Sequence, residues 1–166
     1  MNEQLFRGEL VRLTAFDAEK DAETESRWTH NAEFMRLALA EPAKPLSPVT
    51  IKKKYDDEKE KERQRYRLAI RTLADDRLIG FIALQWIEWN NGAGFLSFGI
   101  ADAAERGKGY AREAVGLMLR YAFAELNLFR LTAVTGSYNE RAIHFLQRNG
   151  FQIEVRRREA FNRDGK

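Results

Sequence analysis

The stretch Arg106-Gly107-Lys108-Gly109-Tyr110-Ala111 places two glycines around a lysine where a helically spaced apolar pattern begins. A helix N-terminus carries free N–H groups and a partial positive charge, and glycine lets an anion approach the backbone closely. A phosphate or diphosphate suits that combination. The same glycines also suit a tight strand-to-helix turn, and the local sequence leaves both readings open. Spacing narrows the phosphate reading. A mononucleotide P-loop needs G-x-x-x-x-G-K-[ST], but Lys108 is followed by Gly109 and Tyr110, with no Ser or Thr to hold magnesium. The dinucleotide fingerprint G-x-G-x-x-G puts its third glycine at Arg112 and belongs to a parallel unit, so it fits poorly as well.

The elements around this stretch can be read from periodicity. Residues Gly8 to Phe16 alternate as a strand does, Asp17 is a helix cap, and "DAEKDAETESRWTHNAEFMRLAL" is a helix. A loop with Pro42, Pro45 and Pro48 leads into a second helix, capped by Ser47 with Pro48 at its first position. Its triplet Lys52, Lys53, Lys54 beside Asp56, Asp57 and Glu58 reads as a solvated helix face before a binding patch. Three strand-like runs follow as an antiparallel meander, "YRLAIRTL", "RLIGFIALQWIEW" and "GAGFLSFGIA". Ala111, Ala114, Val115, Met118, Leu119, Ala122 and Leu126 then keep helical spacing. "FRLTAVT" reads as a strand, "NERAIHFLQRNGF" as a helix closed by Gly150, and "FQIEVRRREAF" as a last strand. The expectation is one α/β domain over residues 1–166, in the order strand, two helices, three strands, helix, strand, helix, strand. The glycine stretch lies between the fourth strand and the helix after it.

Bulk properties exclude several chemistries. There is no cysteine, and His30 and His144 are the two imidazoles, which argues against a zinc enzyme or a Ser-His-Asp hydrolase; no metal is expected. The net charge of +3, from 28 Lys and Arg against 25 Asp and Glu, is spread along the chain. It neither demands nor excludes nucleic acid, and none is expected as a partner. No apolar run approaches a membrane span and no leader-like segment opens the chain, so a cytoplasmic protein with no membrane partner is expected.

The pattern Arg/Gln-x-x-Gly-x-Gly/Ala is met by Arg106, Gly109 and Ala111. Together with the element order and "NERAIHFLQRNGF", it resembles the GNAT superfamily of acyl-coenzyme A transferases. The opening "GELVRLTAFDAEKDAE" and the pair "YRLAIRT" and "LIGFIAL" resemble the branch of ribosomal-protein N-terminal alanine acetyltransferases and spermidine acetyltransferases. The resemblance covers roughly residues 8 to 165 and implies a mixed, mostly antiparallel sheet with helices on both faces. It implies acetyl-coenzyme A as co-substrate and a primary amine, peptide α-amine or small molecule, as acceptor. The backbone of Ile100 and Ala101 is then expected to pair with the pantetheine arm. Amides of Arg106, Gly107, Lys108, Gly109, Tyr110 and Ala111 are expected to cradle the diphosphate. Asn139 is expected to bond the amide-rich arm, a role compatible with capping its helix. Arg148, or the run Arg156, Arg157, Arg158, is expected to meet the 3′-phosphate, with solvent exposure the alternative for some of them.

The implied chemistry is direct attack of an amine on the thioester, which requires no covalent enzyme intermediate and no cysteine. Glu88, between Trp86 and Trp89, is the candidate base acting through water, set against an exposed strand end. Many relatives protonate the departing thiolate with a tyrosine where this chain has Leu146, which makes Ser137 and Tyr138 the substitute candidates. His144, nearby, reads as structural or exposed. Trp28, Trp86 and Trp89 are candidate aromatic walls of an acceptor pocket. Asp56, Asp57, Glu58 and Glu60 alternate with lysines, which favours a peptide or small-molecule amine over a polyamine. A non-catalytic acyl-coenzyme A binder is the competing class. Relatives continue past an "R-D-G" turn into a final strand, whereas this sequence stops at "FNRDGK"; a missing strand and a homodimer covering the free edge are the expectations.

Overall fold

In the computed structural model, which describes residues 4–38, 42–59 and 65–160, the alternating segments pair into a five-stranded sheet of order β1-β2-β3-β4-β5. The strands are β1 (Val11–Thr14), β2 (Tyr66–Thr72), β3 (Leu78–Glu88), β4 (Ala93–Ile100) and β5 (Arg130–Thr132). The first four form antiparallel neighbours, and β5 joins β4 in parallel. The helices are α1 (Ala18–Thr29), α2 (Ala32–Ala38), α3 (Pro48–Lys59), α4 (Tyr110–Arg120) and α5 (Glu140–Arg148), with one π-helical turn (Tyr121–Glu125) prolonging α4.

Local hydrogen bonds explain where the helices begin. Asp17 accepts from the N–H groups of Glu19 and Lys20, Ser47 from Thr50, and Asn139 from Ala142. Gly150, at φ +89°, closes α5. The expected single helix before the proline loop is two helices instead. Its ladder stops at His30 and Asn31, because the Asn31 side chain accepts from the Phe34 N–H and starts α2.

Alternation divides the sheet into two faces. Ile70, Ile82, Leu84, Leu96 and Ile100 pack with Val115, Leu117 and Met118 of α4 in the main core. The other face carries Arg67, Arg71 and Phe81 under α1, α2 and α3. Phe81 meets Phe34 edge to face, Arg71 pairs with Asp21 at 2.6 Å, and Arg67 pairs with Glu25 at 2.7 Å. Two of the clustered lysines are also spent internally, Lys52 on Glu19 and Lys54 on Glu25.

The expected last strand does not form among the described residues. Phe151 to Arg157 is irregular, with Ile153 and Val155 exposed. Alternation alone does not make a strand without a ladder partner and a surface to cover one face; here a side-chain pair between Glu154 and Arg130 is the tie to β5. The preceding strand is also shorter than expected, Arg130–Thr132 rather than the whole of "FRLTAVT".

Candidate active site

The sheet opens between β4 and β5. Their pairing covers Ala93 to Phe95 on β4, and from Leu96 onward β4 has no strand beside it on that edge among the described residues. The Arg130 N–H donates to the Gly92 carbonyl, while the Ala101 N–H donates across the opposite edge to the Ile79 carbonyl. Because successive residues of a strand alternate edges, Leu96, Phe98 and Ile100 turn their main-chain groups to the open side. That free edge runs for about 13 Å at the usual strand rise. Phe98 and Phe145 of α5, with ring centroids 5.1 Å apart, join the two walls.

The glycine stretch closes one end of this opening. A short 3-10 turn (Ala103–Glu105) leads into Gly107 at φ +85° and Gly109 at φ +91°, both in the left-handed region that penalises a Cβ. Gly109 is the N-cap of α4 and supplies no side chain to its first turn, so the early N–H groups of that helix keep their donors directed outward. A Cβ at Gly109 would also lie 3.2 Å from Leu10 Cδ1.

The side chains of both cations in the loop are engaged within the fold. Arg106 donates through Nε to the Ile100 carbonyl at 3.1 Å and through Nη2 to the Ala101 carbonyl at 3.3 Å, and its Nη1 meets Glu33 of α2 at 3.1 Å. Lys108 donates to Glu105 at 3.0 Å, and Arg77 reaches the same carboxylate at 3.1 Å. The hydrogen bond from Lys108, with help from Arg77, holds the Glu105 carboxyl below its usual range despite desolvation. These contacts fix the loop, and the Arg106 N–H, expected among the cradling amides, is instead spent on the Ala103 carbonyl at 3.2 Å, because it closes the 3-10 turn. Of the two backbone positions expected to meet a pantetheine arm, Ile100 turns its N–H to the opening with its C=O taken by Arg106, whereas Ala101 spends its N–H on Ile79 and its C=O on Arg106.

The other side of the opening is formed by the start of α5. Asn139 caps it and donates through Nδ2 to the Leu37 carbonyl at 3.3 Å, while the Tyr138 hydroxyl donates to the Arg36 carbonyl at 3.0 Å. Helix α2 is thereby tied to both walls, through Glu33 to the loop and through its last carbonyls to α5. Ser137 is exposed beside Tyr138, and Leu146 is buried. Arg148 and His144 are exposed farther along α5, and Arg156 to Arg158 lie in the irregular tail. Arg141, which the sequence reading passed over, brings Nη2 to 3.6 Å from the point a Gly107 Cβ would occupy.

Glu88 pairs with Ala93 and so lies on the face of Phe95 and Ser97, two β4 positions before the strands part. Its carboxylate accepts from Asn91 Nδ2 at 2.9 Å, and the residue is exposed. A bulge between Gln85 and Glu88 puts Trp86 at φ +49°, turns its ring onto Phe95 and sends Ile87 into the core. Trp28 packs on Phe34 on the α1 side of the sheet. Trp89 departs from the expected aromatic wall, since its ring meets Tyr66, which belongs to the α4 face.

Residues 11–152 match the family model described as an acetyltransferase (GNAT) domain. The chain is 38% identical over 101 residues, 60% of its length, to the probable N-acetyltransferase YjcK of Bacillus subtilis (strain 168). It is 31% identical over 126 residues, 75% of its length, to the spermidine N(1)-acetyltransferase of Escherichia coli (strain K12). The matched segments span 55% and 64% of those two relatives. In three dimensions it resembles the spermidine N-acetyltransferase from Vibrio cholerae in complex with CoA and spermine, with a TM-score of 0.81 at 22% identity, covering 91% of this chain and 86% of that one. With a family match over most of its length and a β4–β5 opening that ends at the glycine stretch, the chain belongs to the GNAT acetyltransferase family.

Proposed function

We propose that this chain transfers an acetyl group from acetyl-coenzyme A to a primary amine. The observation that carries the reading is the pair of left-handed glycines at the start of α4, at the end of a β4 edge that β5 leaves free after Phe95. A diphosphate fits the amides from Gly107 to Ala111, where a larger residue at either glycine would carry backbone strain. The pantetheine arm then lies along the β4 edge, with the Ile100 N–H and the main-chain groups of Phe98 as its partners and Asn139 across from them. Arg148 or the tail arginines serve the 3′-phosphate.

The amine nitrogen attacks the thioester carbonyl carbon, the C–S bond breaks, and the thiolate leaves with or without a proton from Ser137 or Tyr138. Main-chain N–H groups on the open edge of β4 stabilise the oxyanion. Glu88, on the face of Phe95 and Ser97, takes the amine proton through water. Ser137 and Tyr138 are the alternative donors in place of the tyrosine that Leu146 replaces.

For the acceptor we favour a peptide α-amine or a small amine, in line with the ribosomal-protein branch suggested by sequence. Carboxylates that could attract a polycation on the α1 face, Asp21 and Glu25, are already bonded to Arg71 and Arg67. The similarity to spermidine acetyltransferases supports a polyamine as the second reading. A homodimer is also part of the proposal, supported by the 88% exposure of Phe129 beside the edge strand β5.

Thermal unfolding with about 1 mM acetyl-coenzyme A, ATP or NADH tests the ligand. A ligand at about 100 times its Kd adds about 2.7 kcal/mol, a shift of roughly 5 °C. A shift with acetyl-coenzyme A alone supports the reading, and a shift with ATP or NADH instead overturns it. Amine-dependent release of coenzyme A over a panel of peptides, small amines and polyamines then separates an enzyme from a binder and one acceptor class from another.

A further inference from the structure

We propose that Arg141 is the side-chain cation of the diphosphate site, closing over the ligand from the α5 wall opposite the amides of α4. The inference rests on the coenzyme A reading of the glycine loop and adds a residue to it. The loop's own cations are committed elsewhere: Arg106 holds the Ile100 and Ala101 carbonyls and Glu33, and Lys108 holds Glu105. A diphosphate on the loop would then meet the partial charges of amides and no full positive charge from the loop.

Arg141 fills that place. Its Nη2 lies 3.6 Å from the point where a Gly107 Cβ would stand, so the guanidinium spans from α5 to the turn that the two left-handed glycines make. The side chain is exposed and makes no ion pair among the described residues. Its position is also costly for the helix that carries it. Arg141 sits in the first turn of α5, where the helix dipole favours acidic residues such as its neighbour Glu140 and disfavours a cation. A guanidinium held there against the local field is suited to an anion brought in from outside, and its planar fork can bond two oxygens of a diphosphate while the amides bond others.

The test compares coenzyme A with dephospho-coenzyme A, which keeps the diphosphate and lacks the 3′-phosphate, by calorimetric titration of wild type, Arg141→Ala and Arg141→Lys. Expected is an about tenfold or greater rise in Kd for both ligands in Arg141→Ala, smaller in Arg141→Lys, with the unliganded Tm unchanged. The affinity of Arg141→Ala should also depend less steeply on salt than that of wild type. Wild-type affinity for both ligands in Arg141→Ala overturns the proposal, as does a loss confined to coenzyme A, which moves Arg141 to the 3′-phosphate. A wild-type protein that binds neither ligand overturns the coenzyme A reading itself, an outcome distinct from a variant that binds as well as wild type.

Discussion

The Glu113 carboxylate in the first turn of α4 accepts the Val11 N–H at 2.7 Å, joining the start of β1 to the helix that follows the glycine loop across 102 positions of sequence. The N–H groups of Glu9 and Leu10 reach the same carboxylate at 2.7 and 2.8 Å, so one side chain satisfies a run of three donors. Glu113→Ala leaves these donors without an acceptor and is expected to lower stability by roughly 2–4 kcal/mol. Glu113→Gln should recover part of it. Urea unfolding of both variants checks the order, and equal loss in the two would reject the account.

Gly109 combines a φ of +91° with a neighbour, Leu10 Cδ1, 3.2 Å from the position of an added Cβ. Gly109→Val is expected to abolish coenzyme A binding while the far-ultraviolet circular dichroism stays that of a folded chain. Titration calorimetry reads the first and spectroscopy the second; normal affinity refutes the loop assignment.

Glu88→Gln tests the base. The substitution keeps the shape and the Asn91 contact partner but cannot accept a proton, so the amine-dependent kcat/KM should fall about a hundredfold with the Kd for acetyl-coenzyme A unchanged. The limb of the pH profile that reports the base should disappear. An unaltered profile removes Glu88 from the mechanism.

Ser137→Ala and Tyr138→Phe separate the two candidate proton donors. The donor's variant should show kcat reduced about tenfold with little change in KM. Tyr138→Phe also breaks the bond to the Arg36 carbonyl, which costs about 1 kcal/mol of stability whether or not the hydroxyl is the donor. Unchanged kcat in both variants means that the thiolate leaves unassisted.

The Glu25 cluster sets an acid limit on stability. Burial pushes the Glu25 carboxyl up, but the charges of Arg67 and Lys54 and the hydrogen bonds from Tyr55 and Arg67 outweigh it and hold the carboxyl below its ordinary value of 4.5. A depressed carboxylate contributes stability that is fully present above its unfolded pKa and is lost as pH falls through the lower folded one. Tm should therefore be flat above about pH 5 and drop below about pH 4. Glu25→Gln should destabilise the fold at neutral pH by about 3–5 kcal/mol, because the buried Arg67 loses its counter-charge, and should reduce the acid-dependent drop.

What the sequence determined by itself was short in range. The caps at Asp17, Ser47 and Asn139, the meander from Tyr66 to Ile100, and the glycine turn into α4 depend on neighbours a few residues away or on strands joined by tight turns. Alternation and helical spacing record these directly. The break at Asn31 was also local, yet it was hidden because helix-forming residues stand on both sides of a side-chain cap. Tertiary structure alone decided where the charges around the glycine turn go. Arg106 and Lys108 flank Gly107 in one dimension, but Glu33, 73 positions from Arg106, and Glu105 engage their side chains, while Arg141 arrives beside Gly107 from another helix. The last strand failed for the same reason in reverse. Its alternating residues were present, but a strand exists only where a partner's ladder and a surface to bury one face meet it, and no spacing within the segment can encode either.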